Sequence, residues 1–263
     1  MFSKTTLAAA FLLIGAGTAA QAAKLTFEVP AGTPPQTKIS GKKDILGAAI
    51  GAKYTVAVSN LEKEGYYCEV GKGIVTILVK DGQYRGPQDS DKFPDMVTCK
   101  ITVKGEYEEF VKFYVTSPAA GSSIYYGYRA IKYFDASKAP LKTDVMSQLQ
   151  TKYGFSFSKA KSWRYSYTEI GKSFGEPEVK NGTGDYLEGK MNEKYNTQYV
   201  DYAFNSAVSL FPDENYVNWF VVEIFDNNLE NYDIEKLEAL KAEYAEKYIE
   251  NSSPESAVSV PKL

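Results

Sequence analysis

Residues 97–116 read VTCKITVKGEYEEFVKFYVT. In the first seven, Val97, Cys99, Ile101 and Val103 alternate with Thr98, Lys100 and Thr102. A strict period of two belongs to a β-strand with one dry face and one wet face. Lys104-Gly105 supplies a turn, and Val111, Phe113 and Val115 resume the alternation beyond it. Two such strands in sequence predict an antiparallel pair, and this pair decides that the first half of the chain is β.

Working outward, KLTFEV (24–29), KYTVAVS (53–59), GYYCEV (65–70) and IVTILVK (74–80) also read as strands. Asp81-Gly82 after the last of these is a strong hairpin signal. Six or seven short strands before residue 116 predict an antiparallel β-sandwich of immunoglobulin-like architecture. Cys99 belongs to the inward set of its strand. The two cysteines, Cys68 and Cys99, therefore predict one disulfide that staples strands through the core. Closing a loop of about 30 residues is worth about 3–4 kcal/mol in the chain-entropy picture.

SPAAGSS (117–123) has no charge and no large apolar group, and reads as a linker. After it the pattern changes. SIYYGYRAIKYF (123–134) is a tyrosine-rich strand. Thr143 is placed to cap a helix lined by Val145, Met146, Leu149 and Tyr153, which Gly154 ends. A strand over roughly 161–170 follows, and residues 171–198 read as a long polar loop. Residues 199–211 and 215–225 read as two strands joined by a turn at Pro212-Asp213-Glu214-Asn215. A last helix begins at Asp233, with Ile234, Leu237, Leu240, Tyr244 and Tyr248 at helical spacing. The overall expectation is a mostly β plus α+β chain. The sandwich over 23–116 is followed by an antiparallel sheet over 124–250 with two helices packed on one face. Residues 251–263 read as a disordered tail.

The N-terminus reads as a signal peptide over residues 1–22. Lys4 precedes the apolar run LAAAFLLIGAG (7–17), and Ala20-Gln21-Ala22 is a cleavage signal. The expected location is periplasmic or secreted, with no membrane insertion after cleavage. The net charge of −3 comes without a basic run, so no nucleic-acid partner is expected.

Histidine is absent from all 263 residues. That removes Ser-His-Asp and Cys-His catalysis and every His-ligated zinc or copper site. What remains is carboxylate chemistry, Ser-Lys chemistry, oxygen-ligated metals, or binding without catalysis. The calcium-loop pattern starting at Asp226 has Asn231 where glycine is needed and Leu237 where a bidentate glutamate is needed. A strand-to-helix turn explains it better. Asp89, Asp91 and Asp95 form the one candidate metal cluster. Glu169, Asp201 and Glu223 are the carboxylates near aromatic residues, and Glu223 has apolar neighbours Val221 and Phe225 on its own face. No cofactor motif is present.

The positive signal is aromatic: 21 tyrosines and 14 phenylalanines. In SWRYSYT (162–168), Trp163, Tyr165 and Tyr167 share one face of an extended chain, with Arg164 on the other. Tyrosine suits both recognition faces and half-buried sheets. The three rings read best as the buried side, which leaves recognition to the Arg164 face or to the loop over 171–198. The expectation is a non-enzymatic binding or interaction protein with a protein or glycan partner, and Arg164, Trp163, Tyr165 and Tyr167 are its candidate binding residues. A secreted carbohydrate-active hydrolase using carboxylates and a structural envelope protein are the alternatives.

Overall fold

The structure, a computed structural model, describes residues 34–37, 39, 43–80, 84–161, 164–172, 178–181 and 200–252. The first half contains β1 (Asp44–Ile45), β2 (Ala48–Ala49), α1 (Tyr54–Lys63) and β3 (Tyr67–Gly73). It continues with β4 (Thr76–Lys80), β5 (Tyr84–Asp89), β6 (Phe93–Val103) and β7 (Tyr107–Val115). The second half contains β8 (Ile124–Tyr133), α2 (Lys142–Tyr153), β9 (Ser158–Lys161), β10 (Arg164–Lys172) and β11 (Glu178–Asn181). β12 (Val200–Leu210), β13 (Val217–Asp226) and α3 (Asn227–Ser252) complete it. The expected signal peptide, the strand at 24–29, most of the loop over 171–198 and the tail beyond 252 lie outside the described residues.

One antiparallel sheet joins both halves. Its strands run in the order β11-β10-β12-β13-β8-β7-β6-β3, and β9 pairs with β10 on the edge that β11 also uses. The class is β-rich α+β. An immunoglobulin-like sandwich over 23–116 does not appear among the described residues, because β3, β6 and β7 continue the ladder of β8 instead of facing a second sheet. Inward alternation is the same whether a strand is covered by a sheet or by helices, so the period of two could not separate the alternatives. The division at 117–123 coincides with a packed hairpin corner. Thr116 N donates to Ser123 O at 2.9 Å, Ser123 N donates to Thr116 Oγ1 at 2.9 Å, and Ala119 and Ala120 are buried.

The sheet has an inner face, packed on α1, α2 and the β1–β2 segment, and an opposite outer face. Ala57 and Leu61 of α1, and Val145, Leu149 and Tyr153 of α2, join one core with Val97, Val111, Phe113, Phe204, Val222 and Ile224 from the strands. The first of these helices corrects the strand expected over 53–59. Tyr54, Ala57, Val58 and Leu61 recur at helical spacing and face the core, while Val56, needed inside by a strand, is 57% exposed. Gly127 lets the β1 segment lie on the sheet. A Cβ there would stand 2.9 Å from Ile45.

The C-terminal helix starts at Asn227, six residues before the expected Asp233. Asp226 ends β13 and caps α3, its Oδ1 accepting from Leu229 N at 3.0 Å. The calcium-like stretch is therefore a capped strand-to-helix turn. Only the start of α3 reaches the main core, through Leu229. Otherwise α3 lies against the Pro118–Ala120 turn, β4, β8 and β12, so it does not cover the inner face beside α2 as expected. The α2 reading holds from Lys142 to Gly154, whose φ of 73° ends the helix. Its N-cap is Leu141, not Thr143. The hairpin between β12 and β13 lies where Pro212–Asn215 placed it.

Cys68 and Cys99 form the expected disulfide. They stand directly opposite each other on β3 and β6, with Cα atoms 4.1 Å apart. The bridge thus ties an edge strand to its neighbour within one sheet, not one sheet to another. It also closes the excursion that carries the β4–β5 hairpin.

Candidate binding face

Alternation along the strands distributes the aromatic residues between the two faces. Tyr165, Tyr167 and Glu169 of β10 share the inner face with Tyr202 and Phe204 of β12. Arg164, Ser166, Thr168 and Ile170 point outward. Trp163 lies outside the described residues. The continuous strand expected over 161–170 is two strands, because Lys161 of β9 pairs back onto Arg164 of β10.

Tyr167 is core. It is 8% exposed and stacks on Phe155 with ring centroids 4.3 Å apart and planes 11° apart. Its hydroxyl donates to Glu169 Oε2 at 2.8 Å, and Tyr202 donates to Glu169 Oε1 at 2.7 Å. Lys43 completes this site with an Nζ–Oε1 contact of 2.5 Å. Gly171 opposite Tyr202 makes room for its ring, since a Cβ there would lie 2.1 Å from it. Burial works to raise the Glu169 pKa, but the bonds from Lys43, Tyr202 and Tyr167 outweigh it and hold the carboxyl below its ordinary value. Burial raises Tyr167 and Tyr202, and the neighbouring Glu169 charge adds to the shift. The site pins the segment before β1 to the sheet. The ring stripe of SWRYSYT, as far as it is described, belongs to this buried side.

A second polar chain crosses the outer face of β10, β12, β13 and β8. Thr168, Asn205 and Glu223 are directly opposed neighbours on three strands. Thr168 Oγ1 donates to Asn205 Oδ1 at 3.1 Å, and Asn205 Nδ2 donates to Glu223 Oε2 at 3.0 Å. Tyr126 Oη donates to Glu223 Oε1 at 3.0 Å. Glu223 is 0% exposed. Both its oxygens are occupied and it has no opening to a substrate, so the geometry gives it a role in fixing four strands together. Asp201, the third carboxylate singled out by sequence, is also buried.

Over β6, β7 and β8 the outer face is different. Phe110, Lys112 and Tyr114 alternate along β7, and each is half-buried. Lys112 Nζ lies 5.9 Å from the Phe110 ring centroid and 5.7 Å from that of Tyr114. Tyr128 of β8 meets Phe110 edge-on at 6.1 Å. Lys100 of β6 pairs directly with Phe110, and Ala130, opposite Phe110 on β8, puts the exposed Lys132 one step along. Further across, Arg164 lies 5.9 Å from the Trp219 ring, and both are half-buried. This is the wet side of the strands that open the sequence reading. The sequence singled out Arg164 but not Phe110, Lys112, Tyr114 or Trp219. The signal was present: once Val111, Phe113 and Val115 go inward, the intervening residues of YEEFVKFYVT are two aromatics and a lysine where ordinary polar residues would suffice.

Two of the three acidic candidates can be placed. Asp91 is exposed beyond β5. Asp95 sits at the end of β6 against Gly71 and Gly73, where a Cβ on Gly73 would approach it to 2.8 Å. Nothing is described of the Asp89 side chain. Among the described residues, no group of three or more acidic or sulfur ligands has metal-holding geometry. No helix among them is long and apolar enough to cross a membrane. No family model, curated protein or solved structure matches the chain.

Proposed function

We propose that this chain is an exported, non-enzymatic binding protein that holds a glycan on the outer face of β6, β7 and β8. The half-exposed group Phe110, Lys112, Tyr114 and Tyr128 carries the reading. Aromatic rings present flat apolar surfaces to the C–H faces of sugars, and tyrosine hydroxyls and lysines bond sugar oxygens. The strands bearing these side chains are held in mid-sheet, so ordering them on binding has little entropic cost. Export is supported by the disulfide and by the signal-like first 22 residues. The hydrolase alternative loses support, because Glu223 is buried and bonded through both oxygens.

Affinity electrophoresis of the exported chain through gels containing polysaccharide tests the proposal. Retardation is expected, and Phe110→Ala with Tyr128→Ala should abolish it while the chain stays folded, read as an unchanged far-UV circular dichroism spectrum. Retardation left intact in that variant would place the site elsewhere. Release of sugar fragments would favour the enzyme.

A further inference from the structure

We infer that the glycan is acidic, a polymer of carboxylate-bearing sugars such as a polyuronate. The inference rests on the binding face just proposed, and its ground is how charge is placed there. Phe110 stands at the centre of a triangle of lysines drawn from three adjacent strands. Lys100 is its direct partner on β6, Lys112 is the next residue on the same side of β7, and Lys132 is its diagonal neighbour on β8. With strands about 4.8 Å apart and alternate residues about 7 Å apart, all three lysine backbones lie within roughly 5–8 Å of Phe110.

Two of these lysines are open to a ligand. Lys100 and Lys132 are exposed and make no ion pair among the described residues. Elsewhere Lys43 pairs with Glu169, Arg129 with Glu109, Lys152 with Asp44 and Lys241 with Glu238. The acids on the same side are fewer. Glu108 is one step from Phe110 along β7 and opposes Lys132, Glu223 lies opposite Tyr128 but is buried and bonded through both oxygens, Glu69 is on the edge strand, and Asp95 is beside Gly73. A chain with a net charge of −3 thus gathers cations around one aromatic ring.

Like charges at this spacing repel one another, and an anionic ligand relieves that repulsion. A neutral sugar would use Phe110 and Tyr128 but gain nothing from the triangle. A uronate polymer uses both, laying a sugar face on Phe110 and turning its carboxylates toward Lys100, Lys112 and Lys132. A nucleic acid would also meet cations and rings. The face offers two or three half-buried rings and three lysines, without a long basic groove to track a phosphate backbone, which disfavours a single-stranded nucleic acid.

Calorimetric titration of the exported chain with polygalacturonate, with neutral dextran and with single-stranded DNA separates the outcomes. Polygalacturonate is expected to bind and to weaken as salt is raised, with dextran and DNA at least about tenfold weaker. The triple variant Lys100→Gln, Lys112→Gln, Lys132→Gln should lose about tenfold or more for polygalacturonate, with its thermal melt unchanged. Equal binding of dextran and polygalacturonate, with the variant unaffected, would overturn the acidic-glycan inference and leave the glycan-binding face standing. Equal binding of DNA would overturn it as a general polyanion effect. No binding to either polysaccharide would overturn both readings.

Discussion

The inner and outer faces of the sheet draw on the same side chains, and arrange them to opposite effect. On the inner face, tyrosine, phenylalanine and lysine are closed in. Tyr167 lies between Phe155 and Phe204, and Lys43 is paired with Glu169. Over β6–β8 on the outer face, Phe110, Tyr114, Tyr128 and three lysines stay half-buried or exposed. A cation and a ring make a core where a carboxylate and a helix cover them, and stay within reach of solvent over β6–β8. Between these extremes, Glu223, Asn205 and Thr168 show a third arrangement, a polar chain on the outer face that is fully closed.

The comparison breaks most directly at Phe204. Phe204→Ala should cost about 3–5 kcal/mol, read as a lower urea midpoint, because the ring is wholly buried among other rings. Phe110→Ala on the outer face should cost less than a third of that. Equal losses would mean that both faces are core.

Removing Glu169 sharpens the contrast in charge. Glu169→Ala leaves Lys43 buried without its carboxylate and should cost about 3–5 kcal/mol. Lys132→Ala should change stability by less than about 0.5 kcal/mol. Reduction of the Cys68–Cys99 bridge comes next, at about 2–4 kcal/mol in thermal unfolding. An unchanged melt on reduction would remove the account of β3 as a strand held by its staple.

Much of this division was legible in the chain. The alternation in VTCKITV and in Val111, Phe113 and Val115 assigned the dry sides of β6 and β7 correctly. Asp81-Gly82 and Pro212–Asn215 placed two hairpins, and Gly154 ended α2. What escaped were features set by tertiary context. Tyr54 to Leu61 satisfies both a period of two and a helical stripe, and packing against β3 and β6 selects the helix. Nothing in residues 117–123 distinguishes a linker from a corner, since the group that holds Ser117, accepting from its N and Oγ, is the distant Asp233. Lys43 and Glu169 are 126 residues apart, so no local pattern could pair them. Trp219 and Arg164 meet for the same reason of register, across β12.

The smallest expected effect concerns pH at the end of the sheet. Burial is the main cause raising Asp226, Glu230 and Asp233, and for Asp226 and Asp233 hydrogen bonds oppose it only in part. A carboxyl raised in the folded state binds a proton more tightly there than in the unfolded chain. Its contribution to stability is therefore best below its ordinary value of 3.8 or 4.5 and declines as pH rises through the folded value. Glu169, held low, acts in the opposite sense: its contribution is complete above 4.5 and is lost as pH falls. Asp233→Asn should therefore lessen the loss of stability as pH rises from about 4 toward neutrality, in denaturant titrations at each pH. A steeper loss in the variant would contradict that assignment.

The central claim is that the outer side of β6, β7 and β8 is where a glycan docks. Lysine acetylation footprinting of the chain, with and without polygalacturonate, tests it most directly. Protection is expected at Lys100, Lys112 and Lys132, with Lys63 and Lys92 on other surfaces equally reactive in both samples. Protection spread evenly over all lysines, or found only outside the triangle around Phe110, would contradict it.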